Sequence, residues 1–365
     1  MKKKWTHPLI VLFISMIMVS CSKKETFPVQ ANTILTPARE AALEKAADSV
    51  FMTVTAPGMI ALISVEGEGD YIIKRGVSNT LTGEAMDVNQ YFRIASNTKT
   101  FTGAAVLILA DEGKINLDSS ISYYLPEKHV PNGNLITIRN LGNMRSGLYD
   151  YAGDSLMWAE FLNSGFTKSF PPDTLLAKAF RYGFKWDPGK YYDYCNTNIV
   201  LLGLLMEKVT EKPASQVIEE KVIRPMNLNK TFWPASMYMF APYLHGYTYF
   251  YGRCMDATNW NPSWGYTAGI MISTLPDLKI WAKAVANGTL LSEKMKAERF
   301  NFLDGYGFCV EKAGDWIGHP GTIRGYNSHV LYNPVRHIAL IILVNQDSGT
   351  PVEAFSTAFR RILEQ

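Results

Sequence analysis

The clearest strand signals in this chain lie at its two ends, and a long helical stretch separates them. Met59 to Val65 is an apolar run with β-branched residues, Gly67-Glu68-Gly69-Asp70 supplies a turn, and Tyr71 to Val77 continues as a second strand. Strand signals return at Asp315 to His319, Gly325 to Tyr332 and Ile338 to Asn345, with Asn333-Pro334 turning the chain between the last two. Helical patterns broken by loops fill the middle from Asn97 to about Phe232, and Ile199 to Val209 is the clearest of them. Two outer helices complete the pattern, Ala38 to Val54 behind the N-cap and N1 pair Thr36-Pro37, and Glu353 to Leu363. The pattern predicts an α/β (α+β) fold. Strands from both termini share one antiparallel sheet flanked by helices, and a mostly helical subdomain, about 97–232, is inserted between them. There is no internal repeat.

Of the 365 residues 47% are hydrophobic and 19% charged, which excludes a disordered or fibrous chain. Lys2, Lys3 and Lys4 form a basic start to an apolar stretch, Pro8 to Val19, that is too short to span a bilayer, which takes about 20 residues. It reads as a signal segment ending at Val19-Ser20-Cys21. The expected organisation is a signal peptide at 1–20, a tether at 21–37 and a body at 38–365. The body is then close to neutral, so nothing favours a nucleic-acid partner. Cys195, Cys254 and Cys309 are too few and too scattered for a disulfide framework, and which pair, if any, is bridged stays open. The histidines are dispersed, with no HExxH or CxxC spacing, so neither metal nor cofactor is expected.

Three short stretches carry the chemistry. In Ser96-Asn97-Thr98-Lys99, an extended approach meets a helix, and residues three apart share a helix face, about 4.5 Å apart in rise. A serine hydroxyl needs a base beside it, and a lysine serves once burial lowers its pKa. The Ser96 N–H, at a helix start, is also free to meet a developing oxyanion. The spacing alone is a weak signal, since Ser20-Cys21-Ser22-Lys23 repeats it. The other two stretches are Tyr194-Cys195-Asn196, the one YxN of the chain, and His319-Pro320-Gly321 after a strand-like run.

In that order these stretches resemble the serine β-lactamase and penicillin-binding-protein superfamily, in its class C β-lactamase, D-alanyl-D-alanine carboxypeptidase and esterase branch. The resemblance runs from about Ala38 to the C-terminus. It is carried by Phe92 to Lys99, by Asp187-Pro188-Gly189 leading to Tyr194-Cys195-Asn196-Thr197-Asn198, and by Gly318 to Gly321 leading to Gly325-Tyr326-Asn327-Ser328. Softer echoes are Asp111 to Ile115, Ser146-Gly147-Leu148, and Gly269 to Leu278. It implies a serine hydrolase in which Ser96 forms an acyl-enzyme, Lys99 takes its proton, and Tyr194 shuttles a proton to the leaving group with a lowered pKa. Asn196 would hold Lys99 and a substrate amide, His319 would join the charge and proton network, and Gly321 would let substrate approach the strand edge. The Thr322 N–H would be the second oxyanion donor. The implied substrates are D-Ala-containing peptides or related amides, or β-lactams. A carboxylesterase and a non-catalytic penicillin- or wall-binding lipoprotein are the alternatives. The end of the signal segment likewise resembles a bacterial lipobox, which implies lipid on Cys21 and a body held at a membrane of the cell envelope, in the periplasm or at the cell surface.

Three departures stand out. Pro320 replaces the usual Thr or Ser and loses a hydroxyl used on substrate carboxylates, for which Thr322 or Arg324 would have to compensate. Gly142 within Arg139 to Arg145 is expected to weaken a helix and reshape the wall between Ser96 and Tyr194. Trp233 to Tyr266 holds 11 aromatics, which suit either a substrate groove or the packing of a loop-rich flap.

Overall fold

The computed structural model describes residues 1, 33–250, 252–349 and 351–365. The signal segment and Cys21 lie outside the described residues. Ile34–Gln365 forms one unit, starting ahead of the expected Ala38 because the Ile34 and Leu35 N–H groups donate to the Glu68 carboxylate at 2.7 Å each. Among the described residues, no helix is long and apolar enough to cross a membrane.

The predicted antiparallel sheet is present and has eight strands. Its strands are β1 (Gly58–Val65), β2 (Gly69–Asn79), β3 (Glu84–Ala85), β4 (Tyr306–Gly307), β5 (Val310–Ala313), β6 (Trp316–Ile323), β7 (Tyr326–Asn333) and β8 (Ile338–Val344), in the spatial order β3-β2-β1-β8-β7-β6-β5-β4. N- and C-terminal strands therefore meet at its centre, where Met59 pairs with Val344 and Val65 with Ile338. β1 and β8 read as continuous apolar runs because both faces of the sheet are covered. Their side chains alternate between two cores. Met59, Ala61, Ile63, Leu340 and Ile342 pack with the outer helices, α1 (Pro37–Phe51) and the C-terminal helix. Ile60, Leu62, Ile341 and Leu343 face the helical middle instead.

That middle contains α2 (Thr98–Asp111), α3 (Asn196–Thr210) and, beyond the expected subdomain, α4 (Leu275–Asn287); the C-terminal helix is α5 (Pro351–Leu363). The inserted section is closed at its base, where Phe92 pairs with Ser273 and Arg93 with Ile272. Helix α2 is buried along nearly its whole length, and Phe101 stacks on Trp281 of α4 with ring centroids 4.1 Å apart. The sequence pattern left out α4 and the β4–β5 hairpin, whose strands are too short to show a period.

The glycine expected to weaken a helix has another reason to be there. Ile138–Gly142 is helical, started by a capping box of Thr137 and Asn140, and Gly142 sits against the Phe308 ring, where a Cβ would lie 2.2 Å from the nearest ring carbon. Gly142→Ala therefore overpacks the core beneath the β4–β5 hairpin. The expected loss is about 1–3 kcal/mol of stability, read as a lower thermal midpoint, while the same change at Gly153, where a Cβ meets nothing within 4 Å, should be near neutral.

Candidate active site

Ser96 stands on a 3-10 turn, Ala95–Asn97, between the strand Phe92–Arg93 and α2. Ala95 holds a left-handed backbone, φ 52°, which costs an L-residue about 1–2 kcal/mol and so must be imposed by its surroundings. The restraints are visible: Ile94 N–H donates to Met271 O at 3.0 Å, and Asn97 Nδ2 donates to Ser328 Oγ of β7 at 2.9 Å. Gly321 completes the fit. A Cβ there would lie 2.6 Å from Ile94 O and 2.7 Å from Ser328 Oγ, so this glycine lets the nucleophile turn lie against β6. Its local effect is thus on the turn, beyond the substrate approach expected of it.

Lys99 is fully buried, and its Nζ touches Ser96 Oγ at 2.9 Å, Asn196 Oδ1 at 2.7 Å and Ala268 O at 2.8 Å. Two of these partners can only accept. They take two N–H groups, so a neutral amine must turn its lone pair to the third partner, the Ser96 hydroxyl. Burial pulls the Lys99 ammonium down to about 7, with the Asp150 carboxylate opposing. The amine is therefore available as a base near neutral pH.

Asn196 opens α3 and bridges two groups, since its Nδ2 donates to Asp150 Oδ2 at 2.8 Å while its Oδ1 faces Lys99. Asp150 is a site residue the sequence reading missed. Its signal is adjacent to a quoted stretch: Ser146 Oγ meets Asn198 Oδ1 at 2.5 Å and Thr197 Oγ1 donates to Tyr149 O at 2.7 Å, which fasten the Ser146 to Asp150 loop to the start of α3. Burial raises the Asp150 carboxyl, against the N–H groups of Ala152 and Asn196. Ala268, the other Lys99 partner, adjoins the quoted Gly269.

Tyr194 lies over the same amine, with Lys99 Nζ 4.9 Å from its ring centroid. Its phenol does not have the lowered pKa that was expected. Burial pushes it well above the usual value, although the neighbouring Ser96 hydroxyl favours ionisation. At neutral pH the Tyr194 phenol therefore keeps its proton and can donate it, while the Lys99 amine can accept one. His319 is also corrected in role. It is buried, its imidazole is pulled down to about 3 by burial, and so it carries no positive charge. Its Nδ1 donates to Pro320 O at 2.5 Å, which leaves Nε2 to accept from the Tyr306 hydroxyl at 3.1 Å. Cys195 is a buried filler whose thiol burial pushes up to about 12, and Cys195, Cys254 and Cys309 are all unbridged.

These residues line a cavity of about 460 Å³. Ser96, Tyr194, Asn196, His319, Gly321 and Thr322 all reach it, and Lys99 lies behind Ser96. β5 stops pairing with β6 at Gly318, so the edge of β6 from His319 onward is open. Ile323 pairs with Tyr326 across a two-residue turn, and ladder alternation then directs the Thr322 N–H away from β7, toward that open edge. Ser96 N–H has no protein acceptor among the described residues. The two N–H groups fit an oxyanion site. The Thr322 side chain turns the other way, its Oγ1 accepting from Asn327 Nδ2 at 2.6 Å, and Arg324 is held by Asp347 at 3.2 Å with its guanidinium 5.0 Å over Trp158. Part of the aromatic-rich flap is packing: Trp260 stacks on Phe166 at 3.5 Å and Trp233 meets Tyr266 edge-on, while Trp264 lines the cavity.

A protein-family model described as Beta-lactamase matches residues 46–364. Protein flp of Staphylococcus aureus (strain COL) is 26% identical over 273 residues, covering 70% of this chain and 53% of that protein. The chain thus spans about half the length of this curated relative. Among solved structures, a D-stereospecific amidohydrolase from Streptomyces sp. superposes with TM-score 0.79 at 28% identity over 87% of this chain and 98% of that one. A D-amino acid amidase from Ochrobactrum anthropi SV3, complexed with L-phenylalanine amide, shares the fold with TM-score 0.75 at 24% identity, covering 90% and 98%.

With Lys99 as the base, kcat/KM should fall about tenfold per pH unit as pH drops below about 7, where the amine becomes protonated. The Glu311 carboxyl, which also lines the cavity, is raised to about 7 by burial and is the other group that could give such a limb. Glu311→Gln should keep the limb, displaced to lower pH, and Lys99→Arg, charged at every accessible pH, should lose activity on the order of 10³-fold.

Proposed function

The chain belongs to the Beta-lactamase family, and from that premise we propose that it is a serine hydrolase that cleaves amides of D-amino acids through an acyl-enzyme on Ser96. The observation that carries this reading is the three-way hold on the Lys99 amine by Ser96, Asn196 and Ala268. Lys99 Nζ takes the Ser96 proton as Oγ bonds to the amide carbon, and the carbonyl oxygen moves between the Ser96 and Thr322 N–H groups. Removing one such donor typically costs about 3–4 kcal/mol. The C–N bond then breaks as Tyr194 gives its proton to the departing nitrogen and takes one from the Lys99 ammonium. A water entering at the same place bonds to the acyl carbon as its proton passes through Tyr194 to Lys99. The acyl–Oγ bond then breaks as Lys99 returns a proton to Ser96 Oγ, which releases the acid and restores the hydroxyl.

Two features favour amides of aromatic D-amino acids over the other readings. On the acyl side the cavity is walled by Tyr151, Trp158 and Trp264, with the Tyr151 hydroxyl donating to Trp264 O at 2.6 Å. No Lys or Arg lines the cavity among the described residues, and Pro320 brings no hydroxyl, so a carboxylate-terminated peptide or penicillin finds no cation there. The D-configuration rests on the named activity of the Streptomyces amidohydrolase, which is 28% identical.

Ammonia release from D- and L-phenylalaninamide, beside acylation by a fluorescent penicillin, tests this. The D-amide should turn over at least about tenfold faster than the L-amide, and Ser96→Ala should lose on the order of 10⁴-fold. Penicillin acylation faster than amide turnover would favour the β-lactamase or carboxypeptidase reading instead. The anchor is proposed separately: with lipid on Cys21, Cys21→Ala should move the protein from the membrane to the soluble fraction.

A further inference from the structure

The cavity has two ends, and the chemistry assigns them. The oxyanion donors fix the carbonyl, and the proton donor Tyr194 fixes the side from which the nitrogen departs. The leaving-group end therefore lies on the Tyr194 side of the cavity, where the Tyr194 ring lies 6.0 Å from the His319 ring and His319 Nε2 lies 3.8 Å from the Glu311 carboxylate, with Tyr192 on the same wall. Tyr306 backs this end, its ring 5.6 Å from Tyr192 and its hydroxyl on His319.

Glu311 is the one charged residue lining the cavity among the described residues. It is carried there by β5, whose register sets it opposite Gly318, one residue before His319. Its side chain is 36% exposed, and its carboxylate meets His319 Nε2 at 3.8 Å. That imidazole is neutral and already accepts from Tyr306, so it gives Glu311 no cation. No Lys or Arg reaches the carboxylate within ion-pair distance among the described residues. A half-desolvated carboxylate with no partner is costly in a resting protein, and a cation from the substrate would relieve that cost.

We propose that Glu311 selects the leaving group by charge, favouring an amine that bears a second, positively charged group and rejecting one that bears a carboxylate. This rests on the acyl-enzyme reading for the direction of departure, and it names the leaving-group class that reading left open. Burial and the Glu353 carboxylate raise Glu311 to about 7, while Lys99 lowers it; the other titratable groups around it, Tyr192, Tyr194, Tyr306 and His319, are uncharged near neutrality. Above that value it is ionised.

The test uses three phenylacetyl esters that differ only in the leaving alcohol: choline, its uncharged isostere 3,3-dimethylbutanol, and glycolate. Esters make the outcome independent of whether amides are cleaved. Their affinities for Ser96→Ala are measured by calorimetry at pH 8.5, so turnover is not required. Binding should follow the order choline, neutral, glycolate, with about tenfold between the outer two at least. In Ser96→Ala/Glu311→Gln the spread should collapse, and with Glu311→Lys it should reverse, each variant being checked for an unchanged thermal midpoint. Equal affinities, no detectable binding, or an order that survives both Glu311 changes would overturn the proposal. Failure of D-phenylalaninamide turnover would count against the amide reading alone.

Discussion

Holding an amine out of water beside a hydroxyl costs free energy, and the site is arranged around that cost. Desolvation is what brings Lys99 down to about 7. Uncompensated, it would also expel the side chain or leave it disordered. Asn196 Oδ1 and Ala268 O prevent this by taking two N–H groups, and neither has a proton to give back. The lone pair is thereby aimed at Ser96 by elimination. Asp150 acts one step further out. It fixes which way the Asn196 amide points, and its charge opposes, without cancelling, the loss of the Lys99 proton.

That arrangement needs groups from distant parts of the chain in register to a few tenths of an ångström, and the backbone shows how it is done. Two residues with left-handed or unusual φ flank the lysine: Ala95, φ 52°, just before Ser96, and Tyr266, φ 36°, just before the turn that presents Ala268. Each such residue stores on the order of 1–3 kcal/mol. Dense hydrogen bonding between α2, α3 and the 266–271 segment balances this. Thr267 Oγ1 donates to Ile199 O at 2.7 Å, Thr102 Oγ1 to Thr267 O at 2.8 Å, and Met271 N–H to Thr98 Oγ1 at 3.2 Å. Gly203 makes room for the approach, since a Cβ there would lie 2.6 Å from Thr267.

The sheet was legible because β1 and β8 are long, apolar and bounded by turn residues, and α2 and α3 because each is a largely apolar run too long for a strand. Short elements gave no such signal, which is why the β4–β5 hairpin, and Glu311 with it, could not be placed. Ser96, Lys99, Tyr194 and Asn196 sit on motifs whose spacing is visible in one dimension. Asp150 and Tyr306 act through contacts that only the fold creates. Charge states were the least legible property. Tyr194 and His319 have ordinary neighbours in sequence, and it is three-dimensional burial that makes one a firmly protonated phenol and the other a neutral imidazole.

Those charge states also tie the two ends of the cavity together. Glu311 raises the pKa of Lys99, and Lys99 lowers that of Glu311, so each senses the other's proton. A cation seated on Glu311 cancels its field at Lys99 and favours the neutral amine, the form that attacks Ser96's proton. A carboxylate at the same place adds to that field and favours the ammonium, which has no lone pair to offer. Pro320 brings no hydroxyl to that charge, and among the described residues no Lys or Arg lines the cavity, so the Lys99 ammonium is left to offset it. On the proposed mechanism the charge of the departing group therefore bears on the chemistry as well as on binding, because Lys99 and Glu311 each sense the other's charge.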